Sequence, residues 1–216
     1  MKAVVFDLDG TLIDSAPDIC AAVNKMLSGE GMKPLDLATV TSFIGNGMPK
    51  LVERVLLHVD IPLARHQDLT AATLAIYNKA PSNLTQLYCG VMACLDLLKS
   101  EGYRLAICTN KPFEITQTVV RDLDLSQYFE TLVGADTLPV KKPDPAPLHH
   151  CIKALEAENA FYVGDSEIDY QTAMNAHIPF ALFTDGYRRE ELSYFKNARA
   201  FNSFKDLPEI IRTYFK

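Results

Sequence analysis

The sequence predicts an α/β fold, a doubly wound parallel sheet with a helical segment inserted after its first strand. Two observations carry this. Short, continuously apolar runs recur along the chain with helix-period patterns between them, the mark of strands buried on both faces by flanking helices. From about Pro17 to Lys79 the alternation breaks, and only helix patterns remain.

The first strand is the run Ala-Val-Val-Phe at residues 3 to 6, which stops at Asp7. Similar runs follow at Leu105 to Cys108, Leu132 to Gly134, Phe161 to Gly164 and Phe180 to Phe183. Helical stripes separate them. Val91, Leu95 and Leu98 make one, and Leu148, Cys151, Ile152 and Leu155 another. Ile115, Thr118, Val119 and Leu123 form a third behind Pro112, which suits the first turn of a helix. Within the inserted stretch, stripes are read at Ile19, Ala22, Val23, Met26 and Leu27, then from Met48 through Leu51, Val52, Val55 and Leu56 to Val59. A last one is read at Ala72, Thr73, Ile76 and Tyr77. Gly29 to Pro34 and Pro62 mark loops, and Pro81-Ser82-Asn83 marks the return. The expected division is an α/β core from residues 1–14 and 83–216 and a helical cap domain at 15–82.

Composition bounds the function. At 216 residues with 48% apolar and 22% charged side chains the chain can bury a sizeable core. No apolar run approaches the roughly 20 residues of a membrane span, and the opening residues do not read as a secretory signal. A net charge of -6 without a basic run argues against nucleic acid as a partner. It also means that an anionic substrate needs local positive charge. Five scattered cysteines without a C-x-x-C pair read as reduced thiols rather than a disulfide framework or zinc ribbon. The expectation is a cytoplasmic protein with no membrane partner; monomer and homodimer stay open.

The chemistry begins at Asp7-x-Asp9-Gly10-Thr11. Residues two apart on a strand face one side, so both carboxylates project from the carboxyl end of the first strand, where open α/β sheets bind ligands. Gly164-Asp165-Ser166-x-x-Asp169 follows a second apolar strand. Ser166 and Asp169 fit a capping box taken alone. Beside Asp7 and Asp9, Asp165 adds a carboxylate at the same sheet edge. An oxygen-only set with few protein ligands suits Mg²⁺, and no Cys/His cluster offers a zinc alternative. Positive charge is expected from Lys142, in a loop after the third strand. Thr109 and Asn110 follow the second strand, where hydroxyls and N–H groups at a helix start are natural phosphate ligands.

These four segments, in this order and each at a strand end, resemble the motifs of the haloacid dehalogenase-like phosphohydrolase superfamily, and the match spans the chain. The resemblance implies that Asp7 is the nucleophile, Asp9 the acid/base, Thr109 the phosphate-binding hydroxyl and Lys142 the motif lysine. It implies Mg²⁺ held by Asp7, Asp165 and the Asp9 carbonyl, with Asp169 orienting the site from behind. Phe43-Ile-Gly-Asn-Gly-Met48, Thr109-Asn-Lys-Pro112 and Gly186-Tyr187 are similar to segments of phosphoglycolate phosphatases. Cys89 stands where relatives often carry proline, which affects a turn only. The expected function is hydrolysis of a small, phosphoglycolate-like phosphate monoester through an aspartyl phosphate. Gly45, Asn46 and Gly47 are expected at the substrate, with the Met48 helix start, Lys50 and Arg54 receiving its carboxylate. A pyrophosphatase or sugar phosphomutase is the alternative within the superfamily, and a non-catalytic binding or regulatory protein the alternative outside it.

Overall fold

A computed structural model describes residues 1–216. Its centre is a parallel sheet of β1 (Lys2–Phe6), β4 (Arg104–Cys108), β5 (Thr131–Val133), β6 (Asn159–Gly164), β7 (Phe180–Phe183) and β8 (Arg199–Phe201), in the order β5-β4-β1-β6-β7-β8. β1 is central. Val5 lies opposite Ala106 on one side and Tyr162 on the other.

The apolar runs are continuous because both faces are covered. Ala3 and Val5 join Ala106, Cys108 and Tyr162 in a cluster with Leu148 and Cys151 of α7 (Ala146–Ala154) and Ala173 of α8 (Glu167–Ala176). Their neighbours Val4 and Phe6 pack the opposite way, with Leu95 of α5 (Val91–Ser100), Val119 of α6 (Phe113–Asp122) and Ile211 of α9 (Leu207–Tyr214). β8 was absent from the expected strands. It is an edge strand of three residues, of which Phe201 alone is buried, so it carries no apolar run.

The inserted helices are α1 (Ala16–Gly29), α2 (Leu37–Thr41), α3 (Met48–His58) and α4 (His66–Tyr77). Every residue of the expected first stripe, from Ile19 to Leu27, is buried. On α3 the stripe buries Met48 through Leu56, and Val59 lies just past the helix end. The α4 stripe differs. Its buried face is Leu69, Thr70, Thr73 and Tyr77, while Ala72 is exposed. Small and β-branched residues on all sides of that helix blur its period, and packing against α1 and α3 selects the face. Pro112 also differs: it occupies the N-cap of α6, with Phe113 first in the helix.

The chain enters and leaves this helical stretch through one narrow ribbon. β2 (Ile13–Asp14) pairs antiparallel with β3 (Gln86–Leu87), Ile13 opposite Leu87. Asp18 ties the return to the start: its Oδ2 accepts the Leu84 and Thr85 amides at 2.9 and 2.8 Å and the Thr85 hydroxyl at 2.7 Å. One apolar cluster runs unbroken from the sheet into α1, α3 and α4. No helix is long and apolar enough to cross a membrane.

Candidate active site

Asp7 leaves the carboxyl end of β1, its amide still bonded to the Val163 carbonyl at 2.9 Å. Gly10, at φ +83°, then turns the chain, and a Cβ there would lie 2.4 Å from Asp165 Oδ2. Gly186 meets the same carboxylate from the other side, where a Cβ would come 2.3 Å from Asp165 Cβ. Both glycines therefore make room for Asp165, and their missing side chains let it sit beside Asp7.

Asp7, Asp165 and Asp169 each offer an oxygen within 4.8 Å of the others. Their surroundings separate them. Asp169 is fully committed: Oδ1 accepts Lys142 Nζ at 2.6 Å and the Tyr162 hydroxyl at 2.8 Å, and Oδ2 accepts Ser166 Oγ at 2.6 Å and its amide at 3.1 Å. Burial alone would raise its pKa, but the charge of Lys142 together with the hydrogen bonds from Lys142, Ser166 and Tyr162 holds it below the ordinary value. The capping box read from the sequence is present; the same carboxylate serves both the helix start and Lys142.

Asp165 accepts the Thr11 hydroxyl at 2.9 Å and the Tyr187 amide at 2.6 Å. Burial first, then the charges of Asp169 and Asp7, push its pKa well up. Asp7 is raised to about 7, again by burial and then by Asp169, against the opposing pull of Lys142. Lys142 Nζ is 2.8 Å from Asp7 Oδ1, but off the direction of a hydrogen bond, so that buried oxygen has no donor. No backbone N–H reaches the Asp9 carbonyl. The edge thus presents two under-neutralised carboxylates and a free carbonyl, and a hard divalent cation with oxygen ligands suits that set.

Lys142 is 3% exposed and bridges Asp7 and Asp169. Burial lowers an ammonium pKa, but the two carboxylates prevail and keep it charged. Lys142→Met leaves two buried carboxylates without their cation. It is expected to cost about 3–5 kcal/mol in urea unfolding; a loss under about 1 kcal/mol would count against this bridging role.

Asp9 completes the group. Its Oδ1 accepts Ser15 Oγ at 2.6 Å and Lys111 Nζ at 2.8 Å, and the side chain stays 15% exposed toward a cavity of about 50 Å³. The cavity lies between the strand ends and the inserted helices. Asp7, Asp9, Thr109, Asn110 and Lys111 form one wall; Ile44, Gly45, Gly47, Met48 and Tyr77 are on the other. Thr109 and Asn110 stand where expected. The Asn110 side chain, however, donates to the carbonyls of Gly45 at 3.2 Å and Lys142 at 3.1 Å, tying the 45–47 loop to the core.

Three of the expected side chains are engaged away from the cavity. Asn46 does not line the cavity: its side chain accepts Arg54 Nη2 at 2.8 Å and its carbonyl accepts Lys141 Nζ at 3.0 Å. Arg54 is occupied holding Asn46 and the Phe43 carbonyl. Lys50 pairs with Glu53 at the surface. On α3 the cavity side is the apolar face with Met48 and Leu51, so the basic side chains point elsewhere. Lys111, Tyr77, Ser15 and Tyr162 were missed as site residues. Tyr187 proves to be a pin: its amide holds Asp165 while its hydroxyl accepts the Ser15 and Ala16 amides at 2.8 and 3.0 Å.

Comparison with known proteins agrees with this layout. A family described as haloacid dehalogenase-like hydrolase matches residues 4–183. The chain is 45% identical over 214 residues to a phosphoglycolate phosphatase of Cereibacter sphaeroides, covering 98% of each. It is 39% identical to one of Rhodobacter capsulatus, covering 97% of this chain and 96% of that one. A crystal structure from Haemophilus somnus, described as a predicted phosphoglycolate phosphatase, superposes with a TM-score of 0.91 at 28% identity over 97% of each chain.

Proposed function

The chain belongs to the haloacid dehalogenase-like hydrolase family, and from that premise we propose that it hydrolyses 2-phosphoglycolate, or a phosphate monoester of that size and charge, through a phosphorylated Asp7. The observation that carries the reading is the small cavity that Asp7, Asp9 and Thr109 share with the inserted helices.

Asp7 attacks phosphorus in line with the leaving oxygen, and the P–O bond to the alcohol breaks as the bond to Asp7 forms. Asp9, protonated, gives its proton to that oxygen. In the second half Asp9 removes a proton from water, whose oxygen attacks the phosphoryl group and frees Asp7. Such acid/base help is typically worth ~10²–10⁴, and splitting the reaction replaces one difficult displacement by two easier ones. Repulsion is the main obstacle. At 4 Å and an effective dielectric near 20, each pair of like unit charges costs about 4 kcal/mol. Lys142, held against Asp7 by Asp169, offsets part of it, and Thr109 supplies a hydroxyl at the phosphoryl position. Mg²⁺ held by Asp7, Asp165 and the Asp9 carbonyl would supply the remaining positive charge.

The segment 15–82 serves as a cap domain that excludes water during transfer. Asn110 and Lys141 hold its 45–47 loop down, and the β2–β3 ribbon is its hinge. A cavity of about 50 Å³ favours a short leaving group. The test compares kcat/KM for 2-phosphoglycolate with pyrophosphate, β-glucose 1-phosphate and nucleoside monophosphates. Phosphoglycolate is expected to lead by at least about tenfold, or about 1.4 kcal/mol of transition-state preference. A tenfold advantage for any competitor would overturn the substrate assignment and leave the catalytic residues in place.

A further inference from the structure

Lys111 is the cation among the cavity's lining residues, and the hydrolysis above does not use it. It is 5% exposed. Its ammonium gives one proton to Asp9 Oδ1 at 2.8 Å and another to Tyr77 Oη at 2.6 Å. A further proton remains. Tyr77 accepts from Lys111, and no protein group accepts the proton of its own hydroxyl. Two free donors therefore stand side by side at the spacing that the two oxygens of a carboxylate bridge.

Their position defines what they meet. Lys111 touches the carboxylate that protonates the leaving oxygen, so the pair lies on the leaving-group side of Asp9. Tyr77 ends α4 and Lys111 follows β4, so the pair exists only while the inserted helices cover the strand ends. Ile19, Ile44, Met48 and Leu51 make much of the remaining wall, and a carboxylate buried there needs charged or hydrogen-bonded partners.

The geometry points to Lys111 Nζ and Tyr77 Oη as the receptor for a carboxylate on the leaving group, which selects small acidic phosphate esters over neutral ones. This rests on the phosphatase reading above and puts the pair in place of Lys50 and Arg54, which are engaged away from the cavity.

The test is a ratio. Wild type, Tyr77→Phe and Lys111→Gln are assayed with 2-phosphoglycolate and with ethyl phosphate, which has the same carbon count and no carboxylate. The phosphoglycolate-to-ethyl phosphate ratio of kcat/KM is expected to fall about tenfold in Tyr77→Phe and about a hundredfold in Lys111→Gln, as charge-assisted hydrogen bonds warrant. The loss should appear mainly in KM, and the inhibition constant of glycolate should rise with it. If both rates fall together and the ratio holds, the pair only orients Asp9; the receptor is then overturned while phosphoglycolate hydrolysis stands. A wild type that treats both esters alike overturns the phosphoglycolate reading and the receptor together. Should Lys111→Gln fail to fold, Tyr77→Phe, which loses one oxygen and no volume, decides alone.

Discussion

Asp7→Asn is expected to lower kcat by about 10⁴–10⁶-fold, the scale at which removal of a nucleophile acts, while the fold persists. The amide keeps the shape of the carboxylate but cannot form the phosphoryl ester. Structurally the change is mild, because Lys142 retains Asp169 at 2.6 Å. The stability effect has a definite sign. Burial and Asp169 raise Asp7 from its ordinary 3.8 to about 7 in the folded, metal-free chain. A raised carboxyl pKa favours folding fully below the unfolded value and loses that contribution as pH rises through the folded one. At pH 8 the wild type therefore carries the penalty of a buried, ionised Asp7, and a neutral Asn relieves it. The melting temperature of metal-free Asp7→Asn at pH 8 should equal or exceed that of wild type, and the gap should close toward pH 4. A melting temperature lower by more than about 5 °C would show that the charge is structural. Asp9→Asn should instead permit some phosphorylation of Asp7 by an activated aryl ester. A phosphoryl group trapped on any other residue would contradict the nucleophile assignment.

Chelation is expected to bring turnover to background and added Mg²⁺ to restore it. The reason is the donor set: Asp7 Oδ1 is buried without a hydrogen-bond donor, and Asp165 is held at the same edge by Thr11 and Tyr187. A second readout does not depend on activity. Mg²⁺ at a hundred times its dissociation constant should stabilise the fold by about 2.7 kcal/mol, and Asp165→Asn should remove most of that shift. Full activity in metal-free buffer would sink the idea. A Mg²⁺ shift that persists in Asp165→Asn would place the ion elsewhere.

The acidic edge of the sheet was legible in the sequence for a local reason. Asp7 and Asp9 share a face because strand side chains alternate, and β1 announces itself because helices bury both of its faces. Asp165 stands just past the end of β6 and Lys142 in the loop that leads from β5 to α7, and in a parallel sheet all such ends lie on one edge. Their meeting needed only the topology. The inserted helical segment was less legible. Of its helices α1, α3 and α4 were visible by period and the five-residue α2 was not; on α4 the expected Thr73 and Tyr77 are buried but Ala72 is exposed, and Leu69 and Thr70 complete the inward face. The basic residues of α3 proved to hold the 45–47 loop or to pair at the surface. Charge on a helix reports that one side is polar; whether that side meets solvent, a loop or a ligand depends on what packs beside it.

The sequence by itself determined the α/β alternation, the inserted helices and the acid set that resembles a phosphohydrolase. Only the tertiary structure brought Lys111 and Tyr77 together beside Asp9. Lys111 lies 102 residues from Asp9 and 34 from Tyr77; Tyr77 was marked only as part of a helix stripe and Lys111 only as part of the 109–112 segment, and neither signal says that the two meet. A lone lysine in a loop and a tyrosine ending a helix have the same local signature in solvent as in a pocket. What brings them together is the seating of α4 over the strand ends, a packing of apolar faces to which the Tyr77 ring contributes and Lys111 does not. Burial then does what no local pattern records: it strips water from the ammonium, so that Asp9 and Tyr77 become its partners.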